Sequence, residues 1–142
     1  MFRVIGAILL LAMPAHAQQP VTLYPTDDSF DGATFSVESA ILDRGLVIDY
    51  VSHVGEMLAR TGADVGSDVA LFEAADVFLF CSAVLSRKVM EADPLNIAHC
   101  PYSVFVTDQG GEVSIGYRNM PDGAMQMVQE LLDEIAREAA GM

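Results

Sequence analysis

The chain has 142 residues, with 20 Asp and Glu against 7 Lys and Arg, and a formal charge of −13 at pH 7. That balance repels phosphate backbones and anionic lipid headgroups, which argues against nucleic-acid binding and favours solubility and cationic partners. The length suits one compact domain that buries about two thirds of its unfolded surface and needs no staple merely to fold.

At the N-terminus, Arg3 precedes an apolar run over residues 4–13, and Ala15 and Ala17 supply small residues at cleavage positions. This is the pattern of a secretory signal peptide. Residues 1–17 are therefore expected to be cleaved after Ala17, leaving residues 18–142 as a single globular domain. The apolar run is too short for a bilayer core of about 30 Å, and no Cys stands at the cleavage point to take a lipid. The expected product is exported and soluble, and periplasmic in a Gram-negative cell, with no membrane span after processing.

Residues 21–24 read as a short strand closed by Pro25 and a turn-prone Thr-Asp-Asp-Ser run. Phe30, Ala33, Val37 and Ile41 recur at helical spacing up to Gly45. Residues 46–51, rich in branched side chains, read as a buried strand. Ser52 is placed to cap a helix that turns Val54, Met57 and Leu58 inward and stops at Gly62. After a solvated loop over residues 63–68 comes one helical turn around residues 71–75. The continuous apolar run at residues 77–81 then reads as a central strand covered on both faces.

Ser82 caps the next helix, with Val84, Leu85 and Val89 as its apolar face, and Asp93 before Pro94 ends it. Residues 102–107 and 113–117 flank Asp108-Gln109-Gly110-Gly111, strong hairpin chemistry. Pro121 is placed at the start of a last helix carrying Met125, Val128, Leu132 and Ile135, and Gly141 closes it. The expected class is α+β (mixed α/β): one mixed sheet of about five strands packed with about four helices, ending in a hairpin and a helix.

Three fragments carry a resemblance: Phe80-Cys81-Ser82-Ala83, Glu91-Ala92-Asp93-Pro94, and Cys100-Pro101-Tyr102-Ser103-Val104-Phe105-Val106. In this order and spacing they are similar to the family catalogued as domain of unknown function 302, over about residues 29–117. The resemblance implies a small α+β domain with one mixed sheet, often self-associating, and no established reaction. Many members close the central strand with Cys-Asn-Pro, where this chain has Cys81-Ser82-Ala83.

Chemistry rests on few residues. Cys81 lies between an apolar strand and a helix N-terminus, where a thiolate is favoured, and Cys100 opens the following strand beside His99. Three readings stay open. In the first, Cys81 and Cys100 form a structural disulfide, suited to an oxidising compartment and contributing roughly 3 kcal/mol by closing the intervening loop. Parallel neighbouring strands would oppose it by separating the sulfurs, whereas antiparallel neighbours would permit it.

In the second reading, Cys81, Cys100, His99, His53 and Met57 supply ligands to copper or to non-covalent haem. The chain carries no covalent haem motif, Cys-x-x-Cys pair or His-Glu-x-x-His helix. In the third, a redox-active thiol uses a histidine as base. Arg118, just after a strand, is a candidate contact for an anion such as a carboxylate. The leading expectation is an exported, non-enzymatic binding or accessory module that takes a metal, a haem-like cofactor or a small thiol-related ligand, with a redox or metal-handling partner; the alternative is a passive structural or interaction domain, expected to be a homodimer, in which Cys81 and Cys100 form a structural disulfide.

Overall fold

The computed structural model describes residues 20–142, so the expected signal peptide lies outside the described residues. Five strands, β1 (Val21–Thr26), β2 (Val47–Ser52), β3 (Ala74–Cys81), β4 (Tyr102–Gln109) and β5 (Glu112–Arg118), form one sheet in the order β1-β5-β4-β3-β2. Every pairing is antiparallel, so the sheet is not mixed. Four α-helices, α1 (Phe30–Leu42), α2 (Val54–Thr61), α3 (Ala83–Ala92) and α4 (Gln126–Ala139), complete an α+β fold.

Strand alternation sorts the side chains. Phe78, Phe80, Tyr102, Val104, Val106, Val113, Ile115 and Tyr117 share one face and are buried against α1 and α4. The helices contribute Val37, Ile41, Val128, Leu132 and Ile135 at the predicted 3.6-residue spacing. Ser29 caps α1 by accepting from the Gly32 N–H. The hairpin turns at Gly110 and Gly111, whose φ values of 64° and 85° lie in the left-handed region that glycine occupies without steric cost.

The opposite face carries Val77, Leu79, Ser103, Phe105 and Gly116 and is only partly covered. A Cβ at Gly116 would lie 2.6 Å from both the Leu23 and Phe105 side chains, so these two close over the glycine from either side.

Several expectations are corrected. β2 is an edge strand rather than a buried one, with Val47 71% and Tyr50 64% exposed, because a run of branched residues does not report its place in the sheet order. β3 is an interior strand, flanked by β4 and β2, but it is buried mainly on its helix-covered face rather than on both. Pro25 lies inside β1 rather than ending it, as the edge position allows.

Ser52 is the last residue of β2, and His53 caps α2 without a side-chain bond. Gly55, not Met57 or Leu58, is the buried residue of α2. Val84 is 78% exposed. Residues 71–73 form no helical turn, and α4 starts at Gln126 rather than at Pro121.

Candidate functional site

β3 runs out at Cys81, and the chain leaves through Ser82, whose Oγ accepts from the Leu85 N–H to cap α3. It returns by a 3-10 segment, Pro94–His99, nucleated by Asp93, whose carboxylate accepts from the Leu95 N–H, and reaches Cys100 immediately before β4. Because β3 and β4 are antiparallel, with Phe80 opposite Tyr102, the end of one strand meets the beginning of the other. The Cys81 and Cys100 Sγ atoms stand 2.7 Å apart, both half-buried. A covalent S–S bond is about 2.05 Å long. Antiparallel pairing removes the geometric objection that a parallel pair would have raised.

The environment does not favour a thiolate at Cys81. Its pKa is pushed up to about 11, first by burial, then by the neighbouring Cys100 sulfur and by Asp49 in the β2 bulge. As expected, Ser82 takes the cap of α3 while Cys81 stays at the strand end, where burial opposes the thiolate that the helix N-terminus would favour. A thiol held protonated at neutral pH is a poor attacking group.

The ligand set is not gathered. His53 precedes α2 and its Nδ1 lies 2.8 Å from an Asp76 carboxylate oxygen, near the other end of β3. From Asp76 to Cys81 is about five strand steps, roughly 16 Å. Met57, 42% exposed, lines an open cleft with Tyr50, His53 and Arg60 at that same distant end. Among the described residues, no group of three or more His, Cys, Asp or Glu side chains is placed to hold a metal ion. Two thiolates bound at about 2.3 Å to one tetrahedral ion are about 3.8 Å apart, so sulfurs at 2.7 Å sit too close to share one.

His99 and Arg118 do come together. They line one cleft of about 170 Å³ beside the Cys100 strand entry, with Leu79, Ser103 and Met120 among its walls. The His99 Nδ1 is buried without a hydrogen-bond partner among the described residues.

One polar cluster was not anticipated from the sequence. Tyr24 on β1 and Tyr117 on β5 both donate their hydroxyls to the same Asp133 carboxylate oxygen on α4, and the Arg137 guanidinium lies 5.7 Å from the Tyr24 ring centre. Burial, the leading cause, and the shared carboxylate hold Tyr117 protonated well above the usual phenol range. The available signal was the inward alternation of Tyr24 and Tyr117; Asp133, at the margin of an apolar helix face, gives none. The cluster pins α4 to the sheet edge.

Among the described residues, no helix is long and apolar enough to cross a membrane. No curated protein matches the chain. A crystal structure of an uncharacterized conserved protein DUF302 from Bacillus stearothermophilus is similar with a TM-score of 0.64 and 16% sequence identity, over 87% of this chain and 95% of that one. At that identity the likeness concerns the fold. The family model described as Domain of unknown function DUF302 matches residues 23–142, spanning all five strands almost in full together with the Cys81–Cys100 junction, and the chain belongs to that family.

Proposed function

We propose that this chain is an exported, non-enzymatic binding or accessory domain in which Cys81 and Cys100 are joined as a disulfide that fixes the β3–β4 junction. The observation that carries the reading is the 2.7 Å approach of the two sulfurs from adjoining antiparallel strand ends. The N-terminal secretory pattern supplies the compartment in which such a pair is oxidised. Oxidation removes two protons and two electrons, which pass to a disulfide-bearing oxidant; its disulfide is reduced to two thiols as the Cys81–Cys100 bond forms. The raised Cys81 pKa and the absence of a third ligand among the described residues favour this over a catalytic thiol or a metal or haem centre.

Thiol titration of the mature exported protein, native and denatured, tests the reading alongside intact mass before and after reduction and elemental and absorbance analysis. No reactive thiol, a mass gain of two hydrogens on reduction, and no copper or haem band are expected. Two thiols in the denatured chain overturn it, and bound copper alongside them favours the metal reading instead. The passive alternative, a dimeric interaction domain, draws on the exposed Val47, Tyr50 and Leu23 of the less covered sheet face. Sedimentation of the oxidised protein reads that alternative directly.

A further inference from the structure

The cleft beside Cys100 has an electrostatic character unlike the rest of this acidic chain. On the partly covered face, Leu79 pairs with Ser103. One step beyond the Val104–Tyr117 pair, the same register sets Ser103 opposite Arg118. The 3-10 segment closes one end of this row with His99. Among the described residues the lining therefore holds a guanidinium, an imidazole and a hydroxyl, and no carboxylate. Four other clefts each carry at least one: Asp68 in one, Glu56 in the next, Asp31, Glu38 and Asp76 in a third, Asp27, Asp28 and Glu112 in a fourth.

The His99 ring lines the cleft, while its Nδ1 has no accessible surface and faces away from it. Arg118 makes no ion pair among the described residues, so its guanidinium is open to an anion, whereas Arg44 and Arg87 are each held by a carboxylate. A planar guanidinium matches a carboxylate through two parallel hydrogen bonds. Leu79, Ala98, Pro101 and Met120 supply apolar walls for a short hydrocarbon body. At about 30 Å³ per water, 170 Å³ corresponds to about five or six waters, which is the size of a ligand with as many non-hydrogen atoms.

We infer that this cleft binds a short-chain monocarboxylate, its carboxylate on Arg118 and its body against Leu79 and Met120, with the His99 and Ser103 side chains as additional donors. The assignment stands on the cleft's own groups and is independent of whether the sulfurs are bonded.

The test is a titration of the mature, isotope-labelled protein with propionate at constant ionic strength, following the His99 ring and Ser103 backbone resonances, with propionamide as the neutral isostere. Saturable shifts in the millimolar range with propionate, and none with propionamide, are expected. Arg118→Gln should weaken binding at least tenfold and Arg118→Lys should recover only part of it. Ser103→Ala, on the same sheet face, should weaken it several-fold and serves if the Arg118 variants fail to fold. Shifts that rise linearly without saturating, an equal response to propionamide, or unchanged saturation in folded Arg118→Gln protein would each overturn the assignment.

Discussion

The two ends of β3 are held by different physics. At the Cys81 end, two half-buried sulfurs meet where antiparallel strands exchange. At the other, the His53 imidazole and the Asp76 carboxylate form an ion pair in which the histidine side chain is 56% exposed. Exposed pairs of this kind contribute little. What fastens the distant end is steric: a Cβ at Gly55 would lie 2.5 Å from the Ala75 backbone nitrogen, so α2 rests directly on the β3 main chain. Titratable groups that look alike on paper thus mark a half-buried sulfur pair at one end and a solvated rim at the other.

The contrast is broken most forcefully at the sulfurs. Replacing both with Ser, or reducing the wild type, should lower unfolding stability by roughly 3 kcal/mol. Chemical denaturation with and without reductant measures this, and coincident curves would remove the difference between the two ends.

Next in size is Gly55→Ala, which forces α2 away from β3 and should cost about 2 kcal/mol. A loss well under that would mean the helix is not seated on the strand. Chemical trapping of the reduced protein sharpens the Cys81 side. With its pKa raised to about 11, the thiolate is scarcer at neutral pH while each thiolate is more nucleophilic, so Cys81 should alkylate about tenfold more slowly than an unperturbed cysteine. Peptide-resolved mass spectrometry reads the rate.

The smallest effect belongs to His53. Asp76, through its hydrogen bond and then its charge, raises the His53 pKa above the ordinary 6.5. The folded state then binds the proton more tightly than the unfolded one. Any stabilisation is full below that ordinary value and is lost as pH rises through the raised one. Asp76→Asn should flatten a slight slope in that window, measured as denaturation midpoints across pH; a large change there would contradict the exposed geometry.

Legibility followed the range of the interaction. Local signals placed α1, α3 and the hairpin well: the Ser82 cap, the 3.6-residue spacing of Val37 and Ile41, and the paired glycines at 110 and 111 are each decided within a few residues. The same signals misplaced β2, because Val47 and Tyr50 have strand chemistry whether a strand is edge or centre. They misread α2 as well, where close backbone approach selected a glycine instead of the apolar Met57. Cys81, Cys100, His99, Arg118, His53 and Met57 were all visible as candidates, and the approach of Cys81 to Cys100 was one of the open readings, but the separation of His53 and Met57 from them and the meeting of His99 with Arg118 were not visible.

By itself the sequence determined the alternation of strands and helices, the acidic balance, the secretory pattern and the family resemblance, because periodicity, capping, turn chemistry and charge are properties of neighbouring residues. Only the tertiary structure decided that every strand pairing is antiparallel, that residues 81 and 100 meet while residue 53 sits beside Asp76 near the other end of β3, and that Arg118 shares a cleft with His99. Those outcomes depend on strand order and register, which arise from burying one face of the whole sheet at once and leave no trace in any short window of the chain.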